Sequence, residues 1–253
     1  MHLEVLEVLQ LDYLNRVRAL LDDIERKSAE STDAAAEAVT EALVAGNQLY
    51  VSAMGHGMEG DFIHRAGGLV ASQPFSFSFS VRDRVDGIVR DRERPEPWDD
   101  VQENARHAVR SSRMRAGDFL ITGSVSGRSA GPISLAIAAQ EIGAKVIGIT
   151  SIEYSSKTPS THASGKRLMD VADFVVDNCA PFGDAGLEVE GLPEKIVPMS
   201  GVATIATCWM IHTQVVEKLL ARGLEPSFFL SLNRPEGREF NQKMREQFNR
   251  QGY

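Results

Sequence analysis

Cysteine is scarce in this chain, with only Cys179 and Cys208 among 253 residues. The two are too far apart for a metal-ligand pair and sit in apolar contexts, so they read as buried thiols of a reducing compartment. An excess of positive charge is missing too. The net charge is −8, which argues against nucleic acid as a partner. No apolar run approaches the ~18 residues that would span a bilayer, which argues against a membrane partner. The start, Met-His-Leu-Glu-Val-Leu-Glu, lacks a basic region followed by an apolar stretch, so no signal peptide is expected and a cytoplasmic location follows. No internal repeat or low-complexity tract is present. What remains is 43% hydrophobic and 25% charged, an ordinary globular composition with enough length for a real core.

Leu3, Leu6, Leu9, Tyr13, Val17, Leu20 and Ile24 recur at spacings of three and four, one face of a long amphipathic helix. Ser31-Thr32-Asp33 predicts the cap of a second, alanine-rich helix ending near Gly46. Residues 1–46 are therefore expected as a helical hairpin, packed on the domain or on a partner subunit.

From there strands and helices alternate. Gln48–Met54, Phe75–Val81, Phe119–Thr122, Lys145–Thr150 and Asp173–Asp177 read as strands. Helices are expected from the Gly55–Gly60 loop to about Leu69, and over Val101–Arg113, Ala130–Ile142, Val202–Ala221 and Gly237–Phe248. Ser200 is the expected cap of the fourth, Leu187–Val197 a short hairpin or flap, and Phe228–Leu232 a short apolar run. Val85–Asp100, charge-rich and carrying Pro95, Pro97 and Trp98, reads as a solvated loop or lid. The alternation predicts an α/β fold with a parallel sheet and ligands at the C-terminal ends of its strands.

The most informative stretch is Gly123-Ser124-Val125-Ser126-Gly127-Arg128-Ser129, between an apolar strand and a helix. A helix N-terminus leaves N–H groups without intrahelical partners and carries positive partial charge, so it favours an anion. Three hydroxyls and an arginine exceed what a helix cap requires. The loop lacks the Gly-Lys-Ser/Thr of nucleotide P-loops and suits one terminal phosphate on a small molecule. Thr150 and Ser151, after the next strand, are expected at the same crevice, as are Gly55, His56 and Gly57, and Ser200 is a further candidate for substrate binding.

Gly55-x-Gly57-x-x-Gly60, with Asp83 about twenty residues on, matches a dinucleotide fingerprint. The better anion loop at Ser124–Ser129 and the helices ahead of the first strand favour a turn over the substrate instead. No nicotinamide or flavin cofactor is expected.

Ser126-Gly127-Arg128-Ser129 resembles the Ser-Gly-x-Ser/Thr signature of sugar isomerase (SIS) domains. The likeness extends from about Gly46 to the C-terminus through Arg65-Ala66-Gly67-Gly68-Leu69, Ser164-Gly165-Lys166-Arg167-Leu168, Val171-Ala172-Asp173, Pro181-Phe182-Gly183-Asp184-Ala185 and Glu190-Gly191-Leu192-Pro193. The resemblance implies a three-layer sandwich around a five-stranded parallel sheet, over residues 47–253, binding a phosphosugar. It implies an aldose–ketose isomerase working through an enediol, or alternatively a phosphosugar-binding or regulatory module without chemistry. It also implies a homodimer or homotetramer, because SIS domains commonly build sites between subunits.

Among phosphoheptose isomerases, a related family, a Ser-Thr-Ser-Gly-x-Ser loop holds the phosphate. Carried over, its hydroxyls become Ser124, Ser126 and Ser129, while Val125 replaces the threonine. The family's late-helix histidine is matched by His212. Its glutamate is not matched, for this chain reads Ala66-Gly67-Gly68-Leu69 there. Enediol chemistry needs a base beside the carbonyl and an acid opposite. Glu59 is the first candidate for the base, Asp61 the next, with His64 a further candidate and His212 the opposing acid. His212 also lies on an apolar helical stripe with Ile205, Trp209, Val216 and Leu219, which is the pattern of a core histidine. His107 and His162 are expected at the surface. No His-x-x-x-His spacing supports a metal site.

Overall fold

The computed structural model describes residues 2–54, 58–80, 82, 87 and 99–253, with the side chains of 2–7, 53, 54 and 58 outside that description. Gly55, His56, Gly57, Asp83 and Trp98, with most of the expected lid, lie outside the described residues.

The N-terminal segment is one helix, α1 (His2–Val44), and not the expected hairpin. The Ser31-Thr32 hydroxyls do not cap a new helix. Ser31 Oγ donates to the Ser28 carbonyl (3.1 Å) and Thr32 Oγ1 to the same carbonyl (2.8 Å), back-bonding within a continuing helix that has no Gly or Pro to stop it. Gly46, at φ +83°, ends it as anticipated.

The sheet comprises β1 (Leu49–Met54), β2 (Ser72–Pro74), β3 (Phe119–Gly123), β4 (Lys145–Thr150) and β5 (Phe174–Asp177), all parallel, in the order β2-β1-β3-β4-β5. The expected strand Phe75–Val81 is displaced. Pairing is confined to Ser72–Pro74, and beyond it only the Phe75 amide reaches β1, donating to the Val51 carbonyl. The alternating phenylalanines instead line a groove of 940 Å³ with α2 (Asp100–Ser111). Nor does a helix run from the first loop to Leu69. A single 3₁₀ turn, Met58–Asp61, is followed by left-handed residues at His64 (φ 56°) and Gly67 (φ 86°).

Helices cover both faces. On one, Ala35, Ala36, Val39 and Leu43 of α1 and Cys208, Ile211, Val215 and Leu219 of α6 (Ser200–Ala221) pack on Leu49, Val51, Ile121 and Ile149. Lys218 bonds Asp33 (2.7 Å), and Arg222 pairs with Glu37, so the second half of α1 belongs to its own domain. On the other face α2 and α3 (Ala130–Glu141) bury Ala105, Val109, Ile133, Ala136 and Ala139 against Leu120 and Val146. The short α4 (Ile152–Ser156) and α5 (Leu168–Val171) follow β4. β6 (Ala185–Leu187) and β7 (Ile196–Pro198) form an antiparallel hairpin, and α7 (Gly237–Gln251) closes the chain.

Connections leave β1 toward β2 and β3 toward β4, in opposite directions across the sheet. The topological switch point, where open α/β sheets bind ligands, therefore lies at the C-terminal ends of β1 and β3.

Candidate functional site

The β3–α3 loop sits at that switch point, and its backbone is pinned through its carbonyls. The Ser124 carbonyl accepts from Gly127 N–H (2.9 Å), Val125 from Ser151 (2.9 Å), Gly127 from Leu168 (2.8 Å) and Arg128 from Thr161 (3.0 Å). The N–H groups of Ser126, Arg128 and Ser129 have no acceptor among the described residues. A loop with four carbonyls taken up by the fold and three amides left without an acceptor has the geometry that suits an anion. Ser129 occupies the N-cap position of α3 yet makes no side-chain cap bond, so its exposed hydroxyl is not a structural cap. Arg128 forms no ion pair among the described residues, and its Nε is buried without a hydrogen-bond partner.

Gly127 makes this conformation possible. Its φ is +65°, and a Cβ there would lie 2.1 Å from Ser155 Oγ and 3.0 Å from Thr150 Oγ1. Thr150 and Ser151 serve the loop from beneath. Thr150 Oγ1 donates to the Val125 carbonyl (3.2 Å), and Ser151 Oγ donates to Ala180 (2.6 Å) while capping α4. Ser200 is buried at the start of α6, its hydroxyl donating to Asp184 (2.8 Å).

The candidate acid–base residues gather after β1. Glu59 is half-buried and Asp61 exposed on the 3₁₀ turn, against which α6 packs. His64 turns its ring edge-on to Phe229 at 5.5 Å, and partial burial with the nearby Arg245 charge holds its pKa below the ordinary value. His212 lies between Phe62 (6.0 Å) and Trp209 (4.9 Å), only 6% exposed. Burial pushes its pKa down to about 4, opposed by a hydrogen bond with the Gly67 backbone. The ring is thus neutral near pH 7. Because the folded pKa lies below the unfolded value, the unfolded chain binds the extra proton. Stability from this group is complete above pH ~6.5 and falls as pH drops toward 4, by about 2–3 kcal/mol at the low end. Melting curves of His212→Gln should lack that part of the wild-type pH slope; parallel slopes would reassign it.

His162, expected at the surface, is buried at 7%. Its ring is satisfied by Ser164 and Gln102, which is what makes burial of a polar ring tolerable. Asp184 was likewise not singled out for chemistry, yet its carboxylate accepts from Met199 N, Ser200 N and Ser200 Oγ, closing the N-terminus of α6. Among the described residues no group of three His, Cys, Asp or Glu side chains is placed to hold a metal ion. No helix among them is long and apolar enough to cross a membrane.

This fold, with its loop at the switch point, defines an open α/β domain with a ligand crevice at the C-terminal ends of its strands. The SIS-domain model matches residues 12–151, and the chain belongs to that family. It is 33% identical over 242 residues to a UPF0309 protein of Streptomyces coelicolor, with 93% of each chain covered. The fold is similar to that of phosphoheptose isomerase from Neisseria gonorrhoeae, with a TM-score of 0.50 and 18% identity over 83% of this chain and 95% of that one. It is also similar to a phosphoheptose isomerase from Francisella tularensis, with a TM-score of 0.50 and 13% identity over 85% and 96%.

Proposed function

We propose that the protein binds a phosphorylated sugar at the β3–α3 loop and interconverts its aldose and ketose forms through an enediol. The observation that carries this reading is the loop itself: unaccepted amides at Ser126, Arg128 and Ser129, an uncommitted Ser129 hydroxyl and a buried, partnerless Arg128 Nε. Ser124 and Gly127 complete the cradle in this reading, and Gly55, His56 and Gly57 are proposed as further substrate-binding residues. Replacing Ser126 and Ser129 together with Ala should weaken sugar-phosphate binding by about 2–3 kcal/mol, at one to one and a half per charge-assisted bond. Unchanged affinity in titration calorimetry would remove the site.

In the isomerase reading Glu59 takes the proton from the carbon beside the carbonyl, with Asp61 next in line. Incubated with the protein in deuterated water, an aldose phosphate should gain deuterium at C2 and its ketose isomer at C1. Glu59→Gln should stop that exchange and leave phosphate-loop affinity intact. A specific observation favours the second reading, a binding module without chemistry. With its pKa at about 4, His212 is a neutral imidazole at neutral pH, so it offers its single ring N–H and not the stronger imidazolium acid. The Ala66–Leu69 stretch in place of the isomerases' glutamate points the same way. Binding without any deuterium incorporation selects that reading.

The chain is proposed to act in the cytoplasm as a homodimer or homotetramer. Val8, Leu11, Leu14 and Leu21 leave apolar surface exposed along the first half of α1, beside the face that packs on its own domain. Sedimentation equilibrium should give a multiple of 27.7 kDa. A monomer at tens of micromolar protein, the range of a moderate interface, removes this proposal.

A further inference from the structure

Two carbonyls of the anion loop, those of Gly127 and Arg128, are held by one segment, residues 158–168. Thr161 gives both its N–H (3.0 Å) and its Oγ1 hydroxyl (2.9 Å) to the Arg128 carbonyl. Leu168 N–H takes the Gly127 carbonyl at 2.8 Å. Arg167 Nη1 donates to the Ser155 carbonyl at 3.0 Å, on the residue whose hydroxyl lies under Gly127. This strap has little apolar anchorage of its own before Leu168. It is folded on itself through Ser160 Oγ, which donates to Lys166 O (2.6 Å) and accepts from His162 N–H (3.0 Å).

The middle of the strap is tied to α2 by His162. Ser164 N–H points at Nδ1 (3.1 Å), so Nδ1 is the acceptor, and the Ser164 hydroxyl is 2.7 Å from the same nitrogen. The proton of the neutral ring then belongs on Nε2, which faces Gln102 Oε1 at 3.2 Å. Gln102 is oriented independently, because its Nε2 donates to the Ser134 carbonyl of α3 at 3.3 Å. The donor and acceptor roles are consistent along the whole chain, from α3 through Gln102 of α2 and His162 to the strap, and from the strap back to the loop that opens α3. Gln102 and His162 are both buried, at 6% and 7% exposure.

The geometry assigns His162 as a positioning residue for the anion loop: locked between Gln102 and Ser164, it holds the strap whose donors turn the Gly127 and Arg128 carbonyls inward and leave the loop's amides for the ligand. The assignment rests on the reading of that loop as the anion site. His162 itself touches no substrate.

The test uses His162→Gly, with and without added imidazole, and Gln102→Met, each with inorganic phosphate as the probe. Phosphate affinity by calorimetry, well below the melting temperature, should fall about tenfold, the loss expected for a network missing one hydrogen bond. Amide exchange at Thr161 and Leu168 should accelerate by a similar factor. Imidazole should restore both in His162→Gly. A merely structural histidine would lower the melting temperature and leave the affinity of the folded protein unchanged, and that result overturns the assignment. So does faster exchange with unchanged affinity. If His162→Gly does not fold, Gln102→Met decides by the same two measurements. If wild-type protein binds no phosphate, the reading of the loop as an anion site falls. The assignment of His162, which rests on that reading, falls with it, whereas phosphate binding by the wild type with no loss in the variants removes the assignment alone.

Discussion

Gly127→Ala is expected to weaken anion binding roughly a hundredfold and to destabilise the domain by about 2–5 kcal/mol. Two costs add. A residue with a Cβ in the left-handed region pays about 1–2 kcal/mol. The new methyl would also sit 2.1 Å from Ser155 Oγ and 3.0 Å from Ser155 Cβ, an overpacking cost of about 1–3 kcal/mol. Relief requires the loop to lift, which withdraws the Leu168 and Thr161 bonds and spoils the amide geometry of Ser126–Ser129. Losing two charge-assisted bonds at about 1.5 kcal/mol each lowers phosphate affinity roughly a hundredfold. The diagnostic partner is Ser155→Gly, which removes both nearest atoms. The double variant should recover the overpacking part of the stability loss and keep the left-handed part. Chemical denaturation and calorimetry read the two effects separately. A Gly127→Ala protein with wild-type stability and phosphate affinity would show that the loop does not depend on this close approach.

Asp184→Ala should be the most damaging change away from the loop, at about 3 kcal/mol. The carboxylate accepts from Met199 N–H (3.1 Å), Ser200 N–H (2.8 Å) and Ser200 Oγ (2.8 Å). Without it, the Ser200 N–H and hydroxyl lose their acceptor, while Met199 N–H keeps the Asp184 carbonyl, and a negative charge is lost from the positive end of a 22-residue helix. Asp184 also has φ 68°, a conformation that Asp and Asn tolerate better than Ala. Asp184→Asn should therefore cost only about 1 kcal/mol, since it keeps the backbone preference and one acceptor. Equal losses for the two variants in urea melts would refute the capping account. The bond to Ser200 bears on function too, because it commits to the fold a hydroxyl that sequence alone makes a candidate for substrate.

Much of the fold was legible because local chemistry dictated it. The β3 run Phe119–Gly123 is buried throughout, and its turn into Ala130 carries the Ser-Gly pattern of an anion loop. Lys145–Thr150 and the helix after Ser200 fall within a residue or two of their expected limits. The misreadings share a cause. Ser31-Thr32 has the composition of a cap, but hydroxyls bond equally well back into a helix that tertiary packing on α6 keeps intact. Phe75–Val81 has the period of a strand, yet pairing is a property of neighbours, and beyond Pro74 only Phe75 finds one on β1.

The site divides the same way. By itself the sequence determined where the candidate anion loop lies, after the third strand, because hydroxyls, glycine and a helix start are contiguous there and act through their own backbone. Only the tertiary structure decided what holds that loop and what surrounds it. The His162 strap arrives from residues 158–168, its Gln102 anchor from α2, and Ser155 fills the space under Gly127. These contacts join residues some thirty to sixty positions apart, and no spacing along the chain encodes them. His212 is the same case: a helical stripe puts it on an apolar face, but only packing by Phe62 and Trp209 sets the burial that keeps its ring neutral.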